Sequence, residues 1–310
     1  MYSYVGKRLL VTIPVLLGVV FIVYAIMSLT PGDPGRQILG NDAPQEAVDQ
    51  LNHELGYDLP FPVRFFNYIK GIVTKFDFGK SYQTSKPVIN EIMTFFPNTL
   101  KLASFAIIIS VTLGISLGIL SAVKQYSVID NCCTVAAMVF AVIPAFWLGM
   151  LLIYVFALKM GWLPSYGIGS WKGYILPSIT VSTSGLATCM RMTRTTMLET
   201  IRMDYIRTAR AKGAPEKTII WRHALPNALL PIITSMGMVF GYLLGGTIVI
   251  ENVFAYPGLG DYMISAIRQR DVPAVLSSTL FFATLFCLVM LVIDLVYAFI
   301  DPRIKARYVK

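Results

Sequence analysis

The sequence predicts an all-α integral membrane protein of about six transmembrane helices, with an extracytoplasmic helical segment after the first. Three observations carry this. The 310 residues are 55% hydrophobic and 14% charged, with a mean hydropathy of +0.65; a soluble domain carries about a quarter charged residues. The apolar residues come in long blocks, and a span needs about 20 of them to cross a hydrocarbon core of about 30 Å. Finally, Lys and Arg gather on alternate connections between the blocks, as they do in the cytoplasmic loops of membrane proteins. The net charge of +9 is therefore no nucleic-acid footprint.

The blocks are Leu9–Leu29, Leu102–Val123, Cys132–Leu158, Leu176–Met192, Ala228–Ile250 and Val275–Ile300. The fourth is the shortest and is rich in Ser and Thr. The first follows Lys7 and Arg8 as a secretory signal would, but its apolar core is too long and "LTPGDPGR" offers no small-x-small cleavage site, so it reads as a retained anchor. Between the first two blocks lies the one large segment outside the membrane. "PQEAVDQLNHELG" predicts a short helix ending at Gly56. "PFPVRFFNYIKGIVTKF" predicts an amphipathic one with interfacial aromatic rings, and "KPVINEIMTFF" a third short helix before the second block.

With the N-terminus inside, inner segments hold fifteen Lys and Arg against four in the short outer loops. Both termini are thus expected in the cytoplasm. The expected organisation is an N-terminal transmembrane helix (1–30), an extracytoplasmic helical segment (31–99), a core domain (100–301) with a cytoplasmic loop at 200–227, and a cytoplasmic tail (302–310).

Tests for chemistry come out negative. "FGKS" at Phe78–Ser81 resembles the end of a P-loop, but Thr74 stands where the motif needs Gly. "GISLG" at Gly114–Gly118 matches GxSxG, yet it lies mid-span with no His or acid near in sequence. It is equally GxxxG, where small residues let helices approach closely. Gly237, Gly241 and Gly245 form a second stripe of that kind. No HExxH or CxxC spacing is present, the four Cys read as buried small hydrophobes, and there are only two His. No catalytic residue and no metal site is expected. Asp294 is the one acid clearly inside a span, read as a paired structural carboxylate. Glu251 ends the fifth span as a gate or a solvated acid. Arg191 and Arg194 end the fourth and are expected to snorkel to headgroups.

The cytoplasmic stretch "DYIRTARAKGAPEKTIIWRHALPNALLP", Asp204–Pro231, is the most informative. Asp204 and Lys212 suit the two ends of a short helix, and Gly213 suits a left-handed C-cap. Pro215 and Glu216 open a second helix, which Pro226 is expected to stop. Ile206, Ala209, Ile219, Ile220 and Trp221 are too apolar for an idle loop. They fit either an amphipathic surface helix or a docking surface for a cytoplasmic partner.

The same stretch resembles the coupling loop of ATP-binding-cassette importer permeases. Their pattern is Glu-Ala-Ala, three residues, Gly, nine residues, Ile, one residue, Leu-Pro. Here Arg207, Thr208 and Ala209 hold the first three places, Gly213 the Gly, His223 the Ile place, and Leu225-Pro226 the end. "LTPGDP" (Leu29–Pro34), "DFGKSY" (Asp77–Tyr82), "PNTLKLA" (Pro97–Ala103), "IPAFWLG" (Ile143–Gly149), "LPSYG" (Leu163–Gly167), "ENVFAYPGLG" (Glu251–Gly260) and "DPRIK" (Asp301–Lys305) resemble, in order, the dipeptide/oligopeptide/nickel branch, first-permease type.

The resemblance implies a type I importer fold and a transport subunit rather than an enzyme. It implies a second permease, two cytoplasmic ATPases that carry ATP and magnesium, and an extracytoplasmic solute-binding protein, all in a bacterial or archaeal plasma (inner) membrane. Asp204, Tyr205, Arg207, Thr208, Ala209, Arg210, Ala211, Lys212, Gly213, Ala214 and Pro215 would form the ATPase-coupling interface. Membrane lipid is the other implied contact; no cofactor or nucleic acid is expected on this chain. The rival reading, an ion-coupled secondary carrier, needs coupling sites near midplane and often inverted repeats. Asp294 alone answers to the first, and no clear repeat answers to the second.

Overall fold

A computed structural model describes residues 2–29 and 32–300. The motif at Asp301–Lys305 and the expected tail 302–310 lie outside the described residues. Fourteen α-helices are named here: α1 (Tyr2–Leu29), α2 (Pro34–Leu39), α3 (Gln45–Glu54), α4 (Phe61–Lys75), α5 (Val88–Val123), α6 (Val128–Val142), α7 (Ala145–Leu152), α8 (Ile175–Ile201), α9 (Asp204–Ala211), α10 (Glu216–Thr218), α11 (Leu225–Gly246), α12 (Ile248–Val253), α13 (Leu259–Arg268) and α14 (Val272–Ile300). The described residues hold no strand, only an isolated bridge between Lys80 and Pro87.

The chain divides into two compact units. One comprises Tyr2–Asn98 and Pro257–Cys287; among the described residues the other comprises Thr99–Tyr256 and residues 288–300. In the first, Asp33 caps α2 by accepting from the backbone N–H of Arg36. Asn52 on α3 ties the two short helices together: its Nδ2 donates to Asp33 at 2.7 Å and its Oδ1 accepts from the Gly35 N–H at 2.8 Å. The aromatic face of α4 packs on α1, with Phe61 and Phe65 edge-on to Phe21 and Tyr24. A core of Val88, Ile92, Leu259, Ala266, Ala274 and Val275 joins α5, α13 and α14. Beside it, Asp271 accepts from the Ser81 hydroxyl at 2.5 Å.

In the other unit α8 runs through the interior, with most of its residues buried. Most of its buried hydroxyls bond back to its own carbonyls, as Thr180 does to Leu176 at 2.8 Å and Thr200 to Thr196 at 2.7 Å, while those of Ser178 and Thr193 make no hydrogen bond. Gly114 and Gly118 of α5 lie against α8.

Among the described residues four helices are long and apolar enough to cross a membrane: Arg8–Leu29, Val88–Val123, Glu216–Gly245 and Val272–Val296. A fifth results if α6 and α7 count as one bent span. The fourth expected block is also helical, as α8, but its Ser, Thr and Arg content places it below that apolar standard. A helix covered by its neighbours needs no lipid-compatible surface.

Three local expectations are corrected. The third block is not one straight helix: α6 and α7 meet at 102°. Pro144 disfavours the helical region for the residue before it, and Ile143 is extended (φ −61°, ψ 125°). "KPVINEIMTFF" is not a separate helix but the start of α5, which passes through Pro97. Ile92 and Leu102, either side of that Pro, are each fully buried. Pro226 stops nothing. A π-helical turn, Ile219–Ala224, precedes it and α11 follows directly. The wider turn re-routes the hydrogen bonds where Pro supplies no N–H.

Candidate coupling site

The site is built from α9, the turn after it, and the segment that opens with α10. Asp204 occupies the first turn of α9, where a carboxylate complements the helix dipole. The helix ends in a two-bond reverse turn: the Gly213 N–H donates to Arg210 O at 2.9 Å and the Ala214 N–H to Ala209 O at 3.2 Å. This is the Schellman arrangement, which requires a left-handed residue between the two. Gly213 supplies it with φ +78°. Pro215 then caps the next helix with an extended backbone (φ −66°, ψ 144°), and its carbonyl accepts from the Thr218 and Ile219 N–H groups. Arg210 spans the turn, with Nε donating to Glu216 Oε1 at 2.7 Å and Nη2 to Oε2 at 3.3 Å. Both side chains are substantially exposed, so this pair contributes little to stability.

Ile206 and Ile219 are fully buried, in a cluster with Ile119 and Ala122 of α5, Met197 of α8, Ala224, and Ala228 of α11. Burial of each isoleucine contributes roughly 1.5–3 kcal/mol. The apolar residues of the loop therefore divide: Ile206 and Ile219 anchor it to its own unit, while Tyr205 and Trp221 stay 44% and 56% exposed. Of the proposed interface, Ala209 and Ala214 are half-buried. Asp204, Tyr205, Arg207, Thr208, Arg210, Ala211, Lys212, Gly213 and Pro215 are all exposed. The result is a two-helix elbow, anchored on one side and open on the other.

The remaining singled-out residues fall elsewhere. A Cβ on Gly114 would lie 2.5 Å from Cys189 Cβ, and one on Gly118 would lie 2.5 Å from Thr193 Cβ and 2.8 Å from Met190 O. One on Gly237 would meet Ile293 at 2.7 Å, while Gly245 faces open space. Gly241 is buried. Ser116, between the first two glycines, donates to Thr112 O within its own helix. Among the described residues no three His, Cys, Asp or Glu side chains group as a metal site would need. Asp294 is half-buried on α14. Glu251 is not solvated: it is fully buried and its Oε1 accepts from Thr99 at 2.8 Å and Thr247 at 2.9 Å. A buried carboxylate requires such donors. Arg194 does not snorkel either. It pairs with Asp130, a buried acid that the sequence reading passed over because it stands at the edge of the third block.

Matches to known proteins bear on this geometry. Residues 114–306 match the family described as "Binding-protein-dependent transport system inner membrane component", and residues 1–103 match its N-terminal family. The chain belongs to this family. A dipeptide transport system permease protein, DppB, from Alkalihalophilus pseudofirmus is 39% identical over 333 residues, covering 98% of this chain and 100% of that one. A glutathione transport system permease protein, GsiC, from Escherichia coli strain K12 is 41% identical over 307 residues, covering 99% and 100%. The chain is thus an ABC importer permease of the dipeptide/oligopeptide family. Its fold is similar to that of the MetNI methionine ABC transporter in an inward-facing crystal form (TM-score 0.57, 19% identity, 70% of this chain and 100% of that chain). A crystal structure of an amino acid ABC transporter with histidines gives a TM-score of 0.52 at 17% identity, over 69% and 94%. The permease is therefore a multi-pass membrane protein, and its family implies ATPase and binding-protein partners.

Proposed function

We propose that this permease passes a peptide or a related small solute, such as a glutathione-like molecule or a nickel or metal chelate, across the plasma (inner) membrane on energy from ATP. ATP and magnesium are handled by two ABC ATPase subunits, a second permease completes the channel, and an extracytoplasmic binding protein delivers the solute. This chain does no catalysis. Residues 31–99 face outward, residues 200–227 and both termini face the cytoplasm. The solute class follows from the relatives named for dipeptide and glutathione transport.

One observation carries the coupling role. The α9 elbow buries Ile206 and Ile219 in a cluster shared with α5, α8 and α11, and leaves its polar side open. A push on the open side reaches three long helices through packed side chains. Closing ATPases would thereby drive the permease between its two access states.

The test is reconstitution of the permease with its partner permease, ATPases and binding protein in vesicles. ATP-dependent accumulation of a labelled dipeptide is expected, with none when ATP is replaced by a non-hydrolysable analogue. No ATP-dependent accumulation of dipeptide, glutathione or a nickel chelate sinks the proposal.

A further inference from the structure

Arg64 on α4 lacks the partners a half-buried guanidinium normally has. Its Nε is buried and makes no hydrogen bond, and no carboxylate of the described residues pairs with it. Its guanidinium carbon lies 5.1 Å from the ring centroid of Tyr57, a contact that holds the group in place without neutralising it. Charges withdrawn from water are ordinarily paired.

Arg64 lines a cavity of about 90 Å³ together with Tyr24, Gln37, Tyr57 and Arg270. A second cavity of about 230 Å³ adjoins it and shares Tyr24, Tyr57 and Arg64. Both lie within one unit. The smaller cavity is lined by two arginines and no acid. Asp271, the nearby carboxylate in sequence, is already engaged by Ser81. Gln37 adds a second orphan: its Oε1 is buried and accepts nothing. Gly32 brings Gln37 and Arg270 together, since a Cβ there would lie 3.2 Å from Gln37 Nε2 and 3.5 Å from Arg270 Nη1. Arg270 holds a left-handed backbone at φ +54°, a conformation that is uncommon outside Gly and clusters at ligand sites.

We propose that this cavity binds an oxoanion with an adjacent N–H or O–H donor. The oxoanion lies against the Arg64 guanidinium, and its neighbouring donor lies beside the Gln37 amide. A guanidinium fork suits carboxylate and phosphate alike. Two ligands present that pair of groups. One is an anionic lipid headgroup, phosphate beside a glycerol hydroxyl, which the position of Tyr24 near the end of the apolar α1 favours. The other is the C-terminal carboxylate of a peptide solute beside its amide, and this arm rests on the proposed function.

The experiment is a calorimetric titration of the detergent-purified, assembled transporter without its binding protein. The probes are short-chain phosphatidylglycerol and dialanine, against dioctanoylglycerol and dialanine amide, which lack the anion. Saturable binding of at least one anion is expected, without binding of its uncharged analogue. Arg64→Gln should weaken it by at least about tenfold, the loss of a charge-assisted hydrogen bond. Phosphatidylglycerol binding identifies the headgroup as ligand, and dialanine binding identifies the solute carboxylate. Binding of neither anion, equal binding of the uncharged analogues, or unchanged affinity in Arg64→Gln overturns the site. If Arg64→Gln does not assemble, Arg64→Lys, which keeps charge but loses the fork, replaces it, and the anion-against-analogue comparison in the native complex decides by itself. A transporter that accumulates dipeptide normally but binds neither anion refutes this site and leaves the proposed function standing.

Discussion

Arg194 grips Asp130 with two parallel bonds, Nε to Oδ1 at 2.7 Å and Nη2 to Oδ2 at 2.8 Å. Asp130 is buried in the first turn of α6, and Arg194 comes from α8. The Ser121 hydroxyl of α5 also donates to Asp130, and so does the Tyr126 backbone N–H at 2.9 Å. One carboxylate thus ties three helices, next to the cluster that seats the coupling elbow.

Removing one partner of a buried ion pair leaves an uncompensated charge, at about 3–5 kcal/mol. Arg194→Ala should therefore cost about that much stability, and Asp130→Asn with Arg194→Met distinctly less. Thermal unfolding of the purified permease checks the order. A double variant as damaged as Arg194→Ala would show that the pair's charge balance is not what matters.

The glycines on α5 and α11 should differ in tolerance. Gly118→Ala places a methyl against Thr193 and the Met190 carbonyl, and overpacking of this kind costs about 1–3 kcal/mol. Gly245→Ala meets open space and should leave the melting temperature near that of the native chain. Equal tolerance at both positions would refute the close approach of α5 and α8.

Gly213 is a site where geometry and coupling separate. Gly213→Ala forces a left-handed alanine, a strain of about 1–2 kcal/mol, and should be folded with reduced transport. Gly213→Pro cannot adopt φ +78° and removes the N–H that bonds Arg210 O. It should insert in the membrane yet uncouple ATP hydrolysis from uptake. Normal transport by Gly213→Pro would refute the account of the bend.

The cap on α2 should respond to acid. The Asn52 amide that donates to Asp33, aided by the Arg36 N–H, holds its carboxyl below the ordinary aspartate value. A lowered folded-state pKa means the stabilisation is fully present above the unfolded value and is lost as pH falls through the lowered one. Hydrogen exchange at the α2 amides should accelerate only below about pH 4, the ordinary aspartate range. In Asn52→Ala that onset should move to higher pH. An unchanged onset would show that Asn52 does not set the titration.

Much of this was legible from residue pattern. Gly213 with Pro215 announced the elbow, and the matches bear out the family read from eight short motifs. What stayed hidden depends on neighbours far along the chain. Arg194 and Asp130 are 64 residues apart, and nothing local says that the Arg turns inward rather than to headgroups. Glu251 at a span end reads as solvated until Thr99, 152 residues away, is seen to donate to it. Pro226 and Pro97 carry a local stop signal that packing and a π turn override, whereas Pro144 carries the same signal and the chain obeys it. Propensity alone does not separate these three.

The central claim is that the open side of α9 seats on an ATPase. It is tested most directly by a photo-crosslinking amino acid at Tyr205, exposed on that side, in membranes holding the assembled transporter. The account predicts adducts with a P-loop ATPase, in a yield that changes when ATP is added. Adducts with lipid alone, while the ATPase still co-purifies with the permease, would contradict it.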